Sequence, residues 1–279
     1  MEAITPARPA TRRRPRRSTG LGALVGRELR SRTRSVVGWG VSGGLLCALT
    51  ASIYPSVSSA LSKAIAGYPS GLKEAFGVGN LGTVEQYLAV EAFNMILPLA
   101  VSYFAIRSIV RAIPAAEEAG YLDVLLSAPL SRRKLVLAEF AATALALAAV
   151  MAIIGAFTWI AARIAGADLS LGLTLAGIAN VVPLALLFAG VAALVSGVRR
   201  GSVTATGVAS GALVGMYVFD LVGKLAGGLD WLRYFSVFKY YGSAIENGID
   251  PLAFGGILLL AIALMAAGAL LFERRDVLP

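Results

Sequence analysis

Few side chains in this 279-residue sequence could do covalent chemistry. The chain has no His, and its one Cys, Cys47, lies in an apolar run. The absence of His excludes histidine catalysis, histidine metal sites and histidine proton relays. A single Cys excludes an intrachain disulfide and a cysteine metal cluster. A nucleotide-binding phosphate loop is also absent, because the Gly223-Lys224 pair has Val218 where the first glycine should stand. The sequence therefore predicts a protein that is not an enzyme and that holds no metal, cofactor or ATP of its own.

The charged residues with the most informative spacing flank a short predicted helix. Glu117 and Glu118 precede it, where carboxylates favour a helix N-terminus, and Pro129 ends it. One apolar stripe at helical spacing lies between them, formed by Leu122, Leu125 and Leu126. Two interpretations stay open on this pattern: the helix transmits force from a soluble partner to the membrane, or it rests on the lipid headgroups.

The elements that position this helix must cross a membrane. Hydrophobic residues make up 57% of the chain and charged residues 15%, and the mean hydropathy is +0.76, whereas soluble domains carry about a quarter charged residues. Six long runs lack charge, and a crossing helix needs roughly 20 such residues. We predict an all-α membrane protein with six transmembrane helices, at about 36–55, 88–108, 138–162, 173–195, 202–222 and 252–272.

Two segments precede the first predicted span. Residues 1–19 combine Pro with many Arg residues, which predicts a disordered basic cytoplasmic tail. In residues 20–34 apolar side chains recur at helical spacing while Arg27, Arg30 and Arg34 lie elsewhere, which predicts an amphipathic helix in the membrane interface. Residues 20–279 then form a single six-span domain.

The net charge of +9 is distributed unevenly between the predicted loops. With both termini cytoplasmic, most Lys and Arg residues fall on the cytoplasmic side, including Arg107, Arg111 and the run 132–134. We therefore predict a multi-pass protein of a bacterial plasma membrane with both termini in the cytoplasm. The expected partner of the basic charge is the lipid bilayer and not a nucleic acid.

Three segments resemble type-2 ATP-binding-cassette (ABC) permeases. In Glu118-Ala-Gly-Tyr-Leu-Asp-Val-Leu-Leu-Ser-Ala-Pro-Leu-Ser-Arg132, the acidic residue, Gly, Leu, Leu-Leu, Pro and Ser-Arg recur at the spacings of that family's cytoplasmic motif. The aromatic stretch 235–241 and the basic tail 272–276 resemble two further family segments. Glu139 is a departure, because the family frequently has a basic residue there.

The resemblance implies the permease subunit of an exporter. Such a subunit pairs, as a homodimer or a heterodimer, with a second permease chain and with two cytosolic ABC ATPase subunits that hydrolyse the ATP. The helix from Glu117 to Ser127 would then be a coupling helix seated in a groove of the ATPase. The residues that the resemblance assigns to coupling are Glu117, Glu118, Gly120, Leu122, Leu125, Leu126, Pro129 and Arg132.

The spans offer little charge to hold an ionic cargo, so the favoured cargo is hydrophobic or amphipathic: a drug, an antibiotic or a lipid. Multidrug export is the function that fits such a cargo. Glu91 and Asn94 in the second span are candidates for the substrate path, although Glu91 fits equally well among the outer headgroups. The alternative function is a self-sufficient secondary transporter or a channel.

Two sets of glycines recur every four residues and predict smooth faces for close helix packing. They are Gly40 and Gly44 in the first span, and Gly207, Gly211 and Gly215 in the fifth. We expect these faces to make contacts within the chain, with contact across a dimer as the alternative.

Overall fold

The computed structural model describes residues 21–67, 82–118 and 132–274. Within these ranges every regular element is a helix. The predicted tail at 1–19 and the last residues, 275–279, lie outside them, so the predicted division into a tail and one domain stays a prediction.

We number the α-helices in chain order. They are α1 (Leu21–Ala66), α2 (Val84–Leu88), α3 (Ile96–Ala112), α4 (Pro114–Glu118), α5 (Arg132–Ile164), α6 (Leu171–Val198), α7 (Ser202–Leu225), α8 (Val237–Tyr241), α9 (Ala244–Asn247) and α10 (Pro251–Arg274). A π-helical turn, Ala89–Phe93, follows α2, and a 3₁₀-helix, Asp230–Phe235, precedes α8.

Five of these helices are long and apolar enough to cross a membrane. The apolar stretches are Val25–Ser58, Val136–Ile164, Leu171–Val198, Ser202–Leu225 and Pro251–Arg274. A sixth crossing results if the pair Val84–Phe93 and Ile96–Ala112, bent by 43°, counts as one span. The predicted all-helical membrane class is therefore confirmed over the described residues, with five or six candidate spans.

Helix α1 runs without interruption from Leu21 to Ala66, so the separate interfacial helix predicted at 20–34 is wrong as a distinct element. No Pro interrupts α1 before Pro55. Part of the apolar stripe in the first part of α1 packs on another helix, because Val25 forms a small buried cluster with Ala138 and Ala142 of α5, with Leu29 packed against it. Packing within the chain thus uses a surface that the amphipathic pattern had assigned to the lipid interface.

Helix α6 is the centre of the fold. Of its most apolar stretch 72% is buried inside the chain, against 22% for α7 and 28% for α10. Its sequence is apolar on every face, which is typical of a helix enclosed on all sides. Helices α3, α5 and α10 pack around α6. The low buried fractions of α7 and α10 mean that the described chain leaves broad faces of these two helices uncovered.

The glycines of the first span lie against a neighbouring helix, α5. A β-carbon built on Gly40 would lie 2.9 Å from Ile153 Cδ1, and one built on Gly44 would lie 2.9 Å from Phe157 Cγ. Because real β-carbons essentially never approach another atom so closely, only glycine fits at these two positions without a shift of α5.

The glycines of the fifth span have no such neighbour. Around the β-carbon positions of Gly207, Gly211 and Gly215, no atom of another described element lies within 4 Å. Among the described residues, therefore, nothing packs on this ridge, and the expected contact within the chain stays a prediction. Helix α7 contacts α6 and α3 through another face, which turns the glycine ridge outward.

Candidate functional site

The first candidate site lies where α4 meets the turn between α6 and α7, and we call it the coupling end: Glu117, Glu118, Arg200 and Ser202. Glu118 accepts two hydrogen bonds from Ser202, from the backbone N–H to Oε1 at 2.7 Å and from the hydroxyl to Oε2 at 2.6 Å. Arg200 Nε lies 3.7 Å from Glu117 Oε1. The two carboxylates therefore fasten the end of α4 to the start of α7.

Local geometry explains why Glu118 binds there. Gly201 has φ of +112°, a backbone conformation that favours glycine, and it directs the first N–H of α7 toward α4. A carboxylate at a helix start satisfies an otherwise unpaired N–H and suits the positive end of the helix dipole. The hydrogen bonds from the Ser202 hydroxyl and then from its N–H hold the pKa of Glu118 below its usual range. Because that pKa is lowered, the contact is present at neutral pH and is lost only as the pH falls through the lowered value.

Most of the predicted coupling helix lies outside the described residues. Glu117 and Glu118 end α4, directly before that segment, and Arg132 is the first residue of α5, directly after it. The remaining coupling residues, outside the described ranges, are Gly120, Leu122, Leu125, Leu126 and Pro129. Their role in coupling stays a prediction.

The second candidate site is a break in the second predicted span. The Asn94 N–H donates to the Ala89 carbonyl at 2.8 Å, which is the hydrogen bond of a π-helix. Met95, with φ of −136° and ψ of −66°, leaves the helical conformation before α3 begins. Glu91 is exposed in the π-helical turn, and Asn94 is half-buried at the break. Such turns occur frequently at functional sites, so both candidate substrate-path residues lie at an irregular point of the backbone.

A bend in the second span could be expected from the sequence, because a proline inside a span suggests a kink. Its signal is Pro98, which lies in the first turn of α3. Proline is tolerated in a first turn but not in a helix interior, where it removes a hydrogen bond and clashes with the preceding turn. A proline there is therefore compatible with a helix that starts anew after residue 95.

Buried hydrogen bonds connect the break to the central helix through Tyr241. The Tyr241 hydroxyl donates to the Phe93 carbonyl at 3.1 Å, and the Tyr241 carbonyl accepts from Asn180 Nδ2 of α6 at 2.8 Å. Burial raises the pKa of Tyr241, so its hydroxyl keeps the proton that it donates. These two hydrogen bonds link the π-helical turn at Phe93 to Asn180 of α6 through Tyr241.

A carboxylate lies at each end of the broken span and binds the start of another long helix. Glu85 of α2 accepts from the backbone N–H of Ser170, the N-cap of α6, at 2.9 Å. At the other end Glu118 binds Ser202 of α7. Helix α3 lies between them and spans about 25 Å at 1.5 Å per residue over its 17 residues. The broken span is therefore attached to α6 at one end and to α7 at the other.

A buried ion pair that the sequence analysis missed joins α1 to α5. Arg32 pairs with Glu139 and also donates to Thr143 Oγ1 at 2.9 Å. The side chains of Arg32 and Glu139 are 14% and 4% exposed. The available signal was Glu139 itself, an acidic residue near the start of a span where the resembling family frequently has a basic one.

Over residues 21–67, 82–118 and 132–274, no group of three or more Cys, Asp and Glu side chains is arranged to hold a metal ion. The charged groups of the two sites instead bind backbone N–H groups or other charged side chains. Their arrangement supports mechanical linkage between helices.

Comparison with known proteins yields one family. The family described as "Multidrug efflux system permease Rv1217c, C-terminal domain" matches residues 21–273. The match therefore runs from the first described residue of α1 to the last turn of α10. No curated protein matches the sequence.

Proposed function

This chain belongs to the family of the Rv1217c C-terminal domain, a multidrug efflux system permease, and on that premise we propose that it is the membrane-spanning subunit of an ABC exporter. ATP would be bound and hydrolysed by separate cytosolic ATPase subunits, and this chain would hold no cofactor. The cargo class is hydrophobic or amphipathic: drugs, antibiotics or lipids. The absence of a phosphate loop from the sequence supports this division of labour.

The observation that carries the proposal is the attachment of Glu118 to Ser202 directly before the coupling segment. A force applied to residues 119–131 would reach α3 through α4 and α7 through this carboxylate. Helix α3 is continuous up to the break at Met95, so it can move as a rigid lever. We propose that this lever changes the surroundings of Glu91 and Asn94, which we assign to the substrate path.

The same proposal fixes the topology. The bent pair α2–α3 counts as one crossing, which gives six spans in one domain at 20–279. Both termini, the tail at 1–19 and the coupling helix then lie in the cytoplasm of a bacterial cell, and the protein resides in the plasma membrane. The excess of Lys and Arg in the loops of that side supports this orientation.

Co-purification and transport measurements test the proposal. The chain, purified from its native membrane in mild detergent, is expected to retain an ATPase subunit and to export a lipophilic dye from liposomes only with ATP. A chain that retains no ATPase and transports without ATP would instead be the alternative, a self-sufficient secondary transporter or a channel.

The Glu118→Ala variant is expected to lower ATP-driven export at least about fivefold, the low end of typical coupling between sites, with normal membrane insertion. The reason is that α4 loses both of its hydrogen bonds to Ser202 of α7 and keeps only the longer contact of Glu117 with Arg200, while no membrane-buried group changes. Dye export in inverted membrane vesicles measures the effect.

The matched control is Glu246→Ala. Glu246 also accepts a hydrogen bond from a serine hydroxyl, that of Ser243 at 2.7 Å, but it lies between α8 and α10, on the opposite side of the bilayer in our topology. Export equal in both variants would contradict the coupling role of Glu118.

We propose that a second permease chain covers the outward glycine ridge of α7. Small residues at four-residue spacing let helices approach closely in lipid, where packing drives association. This assignment is supported by the open space at Gly207, Gly211 and Gly215 and by the low burial of α7. The second chain can be another copy of this chain, which gives a homodimer, or a different permease chain, which gives a heterodimer.

The Gly211→Leu variant tests that assignment. Its bulk is expected to weaken dimerisation roughly tenfold, if overpacking costs about 1–2 kcal/mol, as measured by cross-linking or mass photometry in nanodiscs. Gly255→Leu is the control, because Gly255 of α10 also has open space but belongs to no repeat. Equal dimerisation of the two variants would exclude α7 as the interface.

A further inference from the structure

A cavity of about 410 Å³ lies between the first part of α1 and the last part of α3. It is distinct from the break at Asn94 and from the coupling end. Side chains that define it include Glu28, Arg32, Trp39, Tyr103, Arg107 and Arg111. We call it the α1–α3 pocket.

The charges of the α1–α3 pocket do not balance. Arg27 pairs with the lining residue Glu28 at 3.0 Å, and the lining residue Arg32 pairs with Glu139 of α5. Arg107 and Arg111 are exposed, four residues apart on α3, and neither forms an ion pair with any described residue. Two guanidinium groups on one helix face, neither with a carboxylate partner among the described residues, form a donor set that suits a phosphate.

The side chains that line the pocket change from charged to aromatic along the axes of α1 and α3. On α1, Glu28 and Trp39 are separated by eleven residues, or about 16 Å, and on α3, Arg111 and Tyr103 are separated by eight, or about 12 Å. The rings of Trp39 and Phe104 are in contact, with centroids 5.7 Å apart, so the aromatic ends of the two stretches coincide. The pocket is therefore charged at one end and aromatic at the other.

The aromatic end is open at the surface of the chain, since Trp39 and Tyr103 are 36% and 40% exposed. In a membrane protein, Trp and Tyr with an exposed edge favour the boundary between headgroups and acyl chains. A ligand that fits both ends has an anionic head and an apolar tail, and the surrounding bilayer supplies such molecules at high local concentration.

We propose that the α1–α3 pocket binds one anionic phospholipid, with its phosphate on Arg107 and Arg111 and an acyl chain along Trp39 and Tyr103. This site is independent of cargo and of ATP, so the chain alone suffices to test it. Failure of the test would leave the proposed export function unchanged.

Quenching of Trp39 fluorescence by brominated lipids tests the site. The other two tryptophans are removed in a Trp159→Phe/Trp231→Phe variant, which is placed in phosphatidylcholine nanodiscs with a small fraction of brominated phosphatidylglycerol or brominated phosphatidylcholine. Brominated phosphatidylglycerol is expected to quench Trp39 at the lower mole fraction. Equal quenching by the two lipids would overturn the proposal.

Arginine substitutions locate the headgroup. Arg107→Gln and Arg111→Gln are each expected to lower the relative binding constant for phosphatidylglycerol about fivefold, from the attraction of one basic side chain to an anionic lipid. The control is Arg163→Gln. Arg163 lies in the last turn of α5, does not line the pocket, and lies over the Trp159 ring in the native chain. An equal loss in the control would indicate diffuse surface attraction and contradict a built pocket.

A second measurement does not depend on the tryptophan variant. Native mass spectrometry of the wild-type chain is expected to retain one phosphatidylglycerol after delipidation, and Arg107→Gln/Arg111→Gln is expected to retain none. Release of that lipid by millimolar sn-glycerol 3-phosphate would show that the pocket selects a soluble phosphate, which would overturn the assignment to a lipid.

Discussion

Replacing Glu139 by Ala is expected to lower the free energy of unfolding by about 3–5 kcal/mol, because Arg32 would keep its charge in a nearly closed space between α1 and α5. Thr143 would remain its hydrogen-bond partner but cannot neutralise it. Equilibrium unfolding in mixed detergent and dodecyl sulfate micelles, followed by circular dichroism, measures the loss.

Two control variants separate a buried charge from general damage. Arg163 Nη1 lies 3.7 Å from Asp168 Oδ1, and both side chains are exposed. Because exposed ion pairs contribute little to stability, Arg163→Ala should leave the free energy of unfolding almost unchanged. The double variant Arg32→Met/Glu139→Leu should recover most of the loss, because apolar residues of similar volume often replace a buried ion pair without cost. A double variant as unstable as Glu139→Ala would show that shape, and not charge, explains the effect.

The Gly268→Ala variant is expected to destabilise the protein by about 1–3 kcal/mol through overpacking at the crossing of α6 and α10. The added β-carbon would lie 2.7 Å from the Ala193 carbonyl carbon and 2.8 Å from the Leu194 nitrogen. These are backbone atoms of the central helix, so the clash cannot be relieved by a change of rotamer. The same unfolding assay measures the loss.

Gly197 and Gly255 provide the comparisons for this crossing. A β-carbon on Gly197 would lie 2.7 Å from the Gly268 carbonyl oxygen, so Gly197→Ala should also destabilise, and the double variant should cost less than the sum because both act on one contact. Gly255→Ala in α10 meets open space and should stabilise slightly, by up to about 1 kcal/mol, through helix propensity. Equal stability of Gly255→Ala and Gly268→Ala would contradict close packing at residue 268.

The glycines illustrate how far a repeat can be interpreted. The spacing of Gly207, Gly211 and Gly215 correctly indicates a smooth face but does not identify what covers it. The close crossing of α6 and α10 uses Gly197 and Gly268, and neither has a glycine four residues away within its own helix. A weaker signal existed in the seven-residue spacing of Gly190 and Gly197, which places both on one face of α6.

In the second span, too, the sequence indicates the helix but not the residues that contact it. The predicted span at 88–108 overlaps helix α3, Ile96–Ala112, and contains the polar residues Glu91 and Asn94. The π-helical turn before the break at Met95 accepts a hydrogen bond from the hydroxyl of Tyr241, more than a hundred residues further along the chain. No local pattern could have indicated that partner.

The sequence by itself determined that this protein is a helical membrane protein, and it located the apolar stretches that five or six candidate spans occupy. These properties depend on the transfer of individual residues from water to lipid and on local helix geometry, which composition and spacing record directly. Only the tertiary structure decided that residues 21–34 are continuous with the first span in α1, that Arg32 meets Glu139, that Glu118 binds the start of α7, and that the α7 glycines meet no other described helix. Each of these depends on which faces of distant helices meet, and because lipid solvates all apolar faces alike, hydropathy cannot select among them.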